Sequence, residues 1–185
     1  MTYGAPLSAA FDDKEMKMAI SMYQASVPVL VRGLDNLSAI LKKAEAYAEA
    51  KKIEPRVLLD ARLAPDMLPL TRQIQIASDS AKGCGARLAA VDVPKYEDNE
   101  ASFDDLQARI AKTIAFLNTL KAEQIDGSED REVTIPTRDK PMTFKGLPYL
   151  LGFVLPNFFF HVTTAYAILR HNGLDIGKMD YLGKP

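Results

Sequence analysis

Apolar residues recur at helical spacing in four stretches of the chain. The first stretch runs from about Ser21 to Ala50, and its apolar positions alternate four and three residues apart. These positions are Tyr23, Val27, Leu30, Leu34, Leu37, Leu41, Ala44 and Ala48. The spacing predicts a helix that packs along one seam of a bundle. Pro28 is expected either to kink the first turns of this helix or to move its start to a later residue.

Two further stretches show the same period. One runs from about Asp66 to Ala90, with its seam at Met67, Leu70, Ile74, Ala77, Ala81, Cys84 and Leu88. The other begins at Ser102, which is predicted to cap it, and Asp105 suits the positive end of the helix dipole. Its seam consists of Leu106, Ile110, Thr113, Leu117 and Leu120. Residues 52–65 hold two prolines and predict a connection, with one helical turn around Val57 to Ala61.

The period changes between Gly127 and Gly146, where the segments EVTIP and PMTF predict a short β-hairpin. A fourth helix is then predicted from about Leu147 to His171, closed by Asn172-Gly173. Its seam is Leu147, Leu151, Val154, Phe158, His161, Ala165 and Ile168. The pattern predicts an all-α fold, a four-helix bundle with a short hairpin before the last helix. We expect residues 18–185 to form this single domain and residues 1–17 to be a poorly ordered tail.

The fourth stretch lacks Lys, Arg, Asp and Glu over the 24 residues between Lys145 and Arg170. That length would suffice to cross a bilayer, but Pro156, Asn157 and His161 lie in its middle, where polar groups are costly in lipid. The segment is therefore interpreted as a central bundle helix and not as a membrane span. Its three consecutive phenylalanines, residues 158–160, cover more than one seam. The surplus aromatic face either packs under the hairpin and the long connection or meets a second copy of the chain, and of these we favour a soluble homodimer through helices one and four.

Composition narrows the class of protein further. The 185 residues include 23 basic and 24 acidic side chains, a balance that argues against nucleic-acid binding. Cys84 is the only cysteine, so no intrachain disulfide can form and a reducing, cytoplasmic location is expected. Its place on the second seam indicates a small core residue.

The polar residues of the fourth helix are the candidate functional positions. Pro156 removes a backbone donor beside Asn157, and Asn157 and His161 share one helix face at a spacing of four residues. His161 lies on the core seam itself. Two interpretations remain open: a buried histidine that is hydrogen-bonded to a neighbour, or a ligand or metal site. The chain has only two histidines, so one subunit cannot form a three-histidine site.

Three segments resemble a known family: SMYQASVPVLVRGLDNLSAIL, LAPDMLPLTRQIQIASDSAKG and LPNFFFHVTTAYAILRHNG. Together with the order of elements, they are similar to the DinB/YfiT-like four-helix bundles, and specifically to their DUF1993 branch of uncharacterised proteins. The likeness covers about residues 18 to 183.

The resemblance implies where a site would lie. In the wider superfamily, a His-x-x-x-His pair on the last helix and one histidine on the second helix hold a divalent metal, which some members use in thiol-dependent transferase or isomerase chemistry. The second histidine of that pair matches His161, the first matches Asn157, and the second-helix position falls at Gln73. Amides are poor ligands for zinc-like ions, so we expect no bound metal.

The same three residues could instead form a closed hydrogen-bond network or line a pocket for a small polar ligand. Arg72, Asp79 and Tyr166 are candidates for the border of such a pocket. Two functions follow. One is a non-catalytic, homodimeric or ligand-binding module without a cofactor. The alternative is a metal- or histidine-dependent transferase or isomerase, in which His161 acts as the base or as the sole imidazole ligand.

Overall fold

A computed structural model describes residues 20–136 and 139–183. The tail expected at residues 1–17 lies outside these ranges. The elements, in chain order, are α1 (Met22–Lys51), α2 (Pro55–Leu59), α3 (Leu70–Leu88), α4 (Phe103–Thr119), α5 (Ala122–Ile125), β1 (Glu132–Ile135), β2 (Met142–Lys145), α6 (Gly146–Pro148), a π-helix (Tyr149–Val154), α7 (Leu155–His171) and α8 (Lys178–Leu182).

The predicted four-helix bundle with a hairpin is confirmed. Helix α3 packs against α7 and α4, and α1 packs against α4, α3 and α7, so the four long helices enclose one apolar core. The predicted seam of α1 is buried except for Tyr23, which is partly exposed. Strands β1 and β2 pair antiparallel, with Val133 opposite Phe144.

Serine residues begin two of the long helices. Ser21 and Gln24 form a capping box at the start of α1, and Ser102 and Asp105 form another at the start of α4. Helix α1 continues through Pro28, so of the two outcomes expected there, a later helix start is wrong. The predicted start of the second long helix, about Asp66, is also wrong: this helix, α3, begins at Leu70. Pro69 is extended, and a proline disfavours helical conformation at the residue before it, here Leu68.

The last long helix is not a uniform α-helix. Pro156 lies in the first turn of α7, directly after the π-helix that runs from Tyr149 to Val154. A π-helix uses wider turns than an α-helix, so it shifts which residues face the core. Leu147 and Leu151, predicted as seam residues, are exposed, at 41% and 51%. Tyr149 and Leu150 are buried in their place.

After α7 the chain returns to α1. Lys43 of α1 forms a 2.6 Å ion pair with Asp180 of α8, and Asn36 donates to the Tyr181 carbonyl at 3.0 Å. Helix α8 therefore covers part of the outer face of α1.

Among the described residues, Gly146–His171 is long and apolar enough to cross a membrane by length and composition alone, and 39% of its most apolar window is buried in the bundle. The core helix of a soluble protein meets the same criterion, and the buried side of this helix supplies Phe158, Ala165 and Ile168 to the core.

Candidate functional site

The centre of the candidate site is a hydrogen bond between α3 and α7. His161 Nδ1 lies 2.7 Å from Gln73 Oε1, and both side chains are buried, with 9% and 2% of their surface exposed. The structure thus pairs the two residues that the sequence assigned to one site from segments 88 positions apart.

The partners of Gln73 determine the tautomer of His161. The Gln73 amide nitrogen donates to the Leu68 carbonyl at 2.9 Å, and a carbonyl can only accept. The amide oxygen therefore faces His161, and Nδ1 must carry the proton. In the neutral ring this leaves Nε2 with a free lone pair. The described residues provide no hydrogen-bond donor to that atom.

Burial also determines the charge of this histidine. Desolvation lowers the pKa of His161 below its usual value, because burial penalises the charged ring. Near neutral pH the side chain is therefore an uncharged imidazole whose Nε2 can accept a hydrogen bond or a proton.

Asn157 takes part in a separate interaction. Its Nδ2 donates to Ser80 Oγ on α3 at 2.8 Å. The single closed network expected for Gln73, Asn157 and His161 is therefore not formed. Instead, α3 and α7 are joined by two polar bonds, Gln73–His161 and Ser80–Asn157. Sequence reasoning missed Ser80, whose small hydroxyl gave no signal among the other polar residues of α3.

The other residues predicted to border the pocket form contacts elsewhere. Arg72 donates to Gln75 and to Asp98, at the edge of the connection between α3 and α4. The Tyr166 hydroxyl donates to the Ile176 carbonyl at 3.4 Å, and its ring meets Tyr181 edge-on. Neither side chain hydrogen-bonds to Gln73, Asn157 or His161. The structure therefore does not bring Arg72 and Tyr166 to the Gln73–His161 pair.

A buried arginine of α4, Arg109, pairs with one carboxylate of α3 and with two of the connection before α4, and sequence reasoning missed this ion cluster. The Arg109 side chain is 2% exposed and pairs with Asp79 at 2.7 Å, Asp98 at 3.0 Å and Glu100 at 2.8 Å. The signal was present, because Arg109 lies three residues after Leu106 and four before Thr113, on the buried seam of α4. The Arg109 guanidinium also donates to the Glu97 carbonyl, which fastens the connection to the bundle.

Cys84 is buried in the core, as predicted. Desolvation raises the pKa of its thiol to about 12, so the reactive thiolate is not populated near neutral pH.

The donor set at His161 differs from that of a three-histidine metal site. The Gln73 oxygen is occupied by the His161 N–H, and the Asn157 nitrogen is directed at Ser80. Within residues 20–136 and 139–183, no group of three His, Cys, Asp or Glu side chains is placed to hold a metal ion. One imidazole and two hydrogen-bonded amides do not fit a zinc-like ion.

The four long helices and the hairpin before α7 define a DinB-like helical bundle, and comparison with known proteins supports this class. A crystal structure of a DinB family member protein from Shewanella denitrificans is similar over 88% of this chain and 92% of that chain, with 39% sequence identity and a TM-score of 0.80. The model of the family described as a domain of unknown function, DUF1993, matches residues 22–182. The chain belongs to the DUF1993 family. No curated protein matches the sequence.

Proposed function

We propose that the protein is a non-catalytic, cytoplasmic module that binds a small polar molecule at the seam between α3 and α7, without a bound metal. The observation that carries the proposal is the state of His161. Gln73 fixes its Nδ1 proton, so its Nε2 offers one lone pair at a nearly buried position. This acceptor is not sealed in the core, because the buried side-chain N and O atoms without a partner among the described residues are Arg109 Nε and Ser128 Oγ. A ligand N–H or O–H can therefore reach Nε2 and donate to it.

Ligand dependence on His161 is tested by purifying the protein from cells under native conditions and identifying co-purified metabolites by mass spectrometry. His161→Asn should keep the fold but lose the metabolite, while His171→Asn, on the exposed last turn of α7, should retain it. If His161→Asn retains every co-purified metabolite, the proposed role of His161 is wrong.

Metal content is tested on the same preparations by elemental analysis. The wild-type protein is expected to hold no stoichiometric zinc, nickel or manganese. A matched gain-of-function variant, Gln73→His with Asn157→His, restores three imidazoles to the site and is expected to bind zinc. Stoichiometric metal in the wild-type protein that disappears in His161→Ala would overturn the proposal.

We also propose that the module is a homodimer through the outer face of α7. Phe160 is 56% exposed on a face of α7 without charged residues, and Leu151 is exposed on the preceding π-helix. Large apolar side chains at such positions favour a protein interface. Because α8 covers part of α1, the contact expected between copies centres on α7.

Light scattering tests the assembly. Phe160→Glu should convert a dimer to a monomer, while Val57→Glu, at an equally exposed apolar residue of α2, should leave it unchanged. A monomeric wild-type protein at micromolar concentration would contradict the dimer.

A histidine-dependent transferase or isomerase is the second candidate, because a neutral, oriented imidazole is also what a general base requires. Its test is turnover of small thiol-bearing substrates in the presence of glutathione. The candidate requires activity that is lost in His161→Asn and that falls at low pH as the ring becomes protonated.

A further inference from the structure

A second cavity lies beside Asn157, and its lining does not include His161. It measures about 160 Å³ and lies between α3, the π-helix and β1. Its polar lining consists of Ser80, Arg87 and Tyr149, together with Asp79. The volume is below the roughly 300 Å³ at which pockets for drug-sized ligands begin, so it suits a molecule of a few heavy atoms.

Arg87 is the cation of this cavity. Its side chain folds back along α3 over Gly83, where a Cβ atom would overlap the guanidinium. The guanidinium donates to the Tyr149 hydroxyl at 3.2 Å. Among the described residues Arg87 forms no ion pair, unlike Arg109 and Arg72 on the same side of the bundle. An anion in the cavity would give this partly buried charge its partner.

Each of the two hydroxyl groups has a hydrogen left to donate. Tyr149 already accepts from Arg87, and Ser80 already accepts from Asn157 Nδ2. Each hydroxyl therefore keeps its own hydrogen, and neither donates to another described residue. Arg87, Ser80 and Tyr149 together present N–H and O–H groups, the requirement of an acceptor-only ligand.

The one acid on the lining is neutralised from outside the cavity. Asp79 accepts from Lys82 and, at 2.7 Å, from Arg109. The opposite wall is aromatic: the Tyr149 and Phe153 rings stack at 6.2 Å between centroids. This wall suits a planar or aliphatic group attached to the anion.

We infer that the cavity binds a small monocarboxylate, with its oxygens on Arg87, Ser80 and Tyr149 and its short apolar body against Phe153. The inference rests on the proposed function only in taking the chain to be a ligand-binding module, and it names the chemical class of the ligand. Asn157 acts here as a positioning residue, because its amide donates to Ser80 and so turns the serine hydrogen toward the ligand.

The test is a titration by two-dimensional NMR with acetate, propionate, butyrate and benzoate, each paired with its uncharged amide. At least one carboxylate should bind to residues around the cavity more tightly than its amide. Arg87→Met should weaken the carboxylate by about tenfold or more, the usual effect of losing a charged hydrogen bond. Arg56→Met removes an exposed arginine of α2 and should change nothing.

Two further variants keep the test decisive if Arg87→Met fails to fold. Ser80→Ala should weaken the carboxylate, and Asn157→Asp should remove the preference for carboxylate over amide, since Ser80 must then donate to the new carboxylate. Unchanged preference in folded Asn157→Asp overturns the positioning role. Absence of carboxylate binding at millimolar concentration, or equal affinity in folded Arg87→Met, overturns the inference.

His161→Asn separates this inference from the proposed function. Carboxylate binding that survives His161→Asn supports the cavity even if no metabolite depends on His161. A His161-dependent metabolite together with no carboxylate binding supports the proposed function and rejects the cavity.

Discussion

The hydrogen bond between Gln73 and His161 can be tested as a pair. Replacing His161 by Leu keeps a similar volume but leaves the Gln73 oxygen without its donor at a position that is 2% exposed. An unsatisfied buried polar group costs about 1–3 kcal/mol, so the free energy of unfolding should fall by that amount. Gln73→Met should cost a similar amount, because it leaves the His161 N–H without an acceptor.

The double variant distinguishes this bond from simple packing. With both polar groups replaced by apolar ones of similar size, neither the Gln73 oxygen nor the His161 N–H is left unsatisfied, so the double variant should lose less than the sum of the two single losses. The Leu68 carbonyl loses its Gln73 donor in both Gln73→Met and the double variant, so that loss cancels in the comparison. The resulting coupling free energy, which is the sum of the two single losses less the double loss, is expected to be at least about 1 kcal/mol. Urea unfolding followed by circular dichroism measures all four proteins, and His171→Leu, at an exposed position of the same helix, serves as the control.

The opposite result is equally clear. If the double variant loses the sum of the two single losses, the residues do not act as a pair. The tautomer assigned to His161 would then lose its support, and with it the acceptor that the proposed function requires.

Three further measurements follow from the described groups. The lowered pKa of His161 means that the unfolded chain binds a proton more readily, so stability should fall as pH drops below about 6.5. The stability difference between the wild type and His161→Asn should shrink in that range and stay constant above it; a constant difference from pH 5 to 8 would contradict the assignment. Cys84 should resist thiol reagents at pH 8 until the protein unfolds, and fast labelling of the native protein would show an opening that the buried thiol excludes. Arg109→Met should cost about 1–3 kcal/mol, because the buried Glu100 carboxylate loses its cation while Asp79 keeps Lys82 and Asp98 keeps Arg72. Arg56→Met, which removes an exposed ion pair, should cost under about 1 kcal/mol, and equal losses would show that burial does not strengthen the Arg109–Glu100 pair.

The fold could be predicted from the sequence because its signals are local. The alternating seam of α1, the Ser102 cap and the change of period before Gly146 each depend on residues within a few positions. The start of α3 lies four residues after the predicted one because Pro69 keeps the residue before it out of the helix, and the apolar period does not show this effect. These features need no knowledge of which helices meet.

The site was predictable only in part, because it depends on how α3 and α7 are aligned. His161 and Gln73 could be paired through a family resemblance. Asn157 instead contacts Ser80. This contact depends on how α3 and α7 cross, and the residues of one helix alone do not determine that crossing. Arg87 was missed for the same reason: its partner Tyr149 is 62 positions away and buried only through an irregular helix.

That irregular helix also determines how relatives should be aligned. Gly152 lies within the π-helix, is exposed, and has no side-chain neighbour that a Cβ atom would meet. Six residues at about 4.4 per turn and five residues at about 3.6 per turn both turn the chain by about 500°, so the loss of one residue here would make the helix regular and leave its two flanks facing as before. Tyr149 would still face Arg87. Relatives that are one residue shorter in this segment should therefore be aligned with the gap inside Tyr149–Val154, since a gap placed elsewhere would compare residues that face different directions.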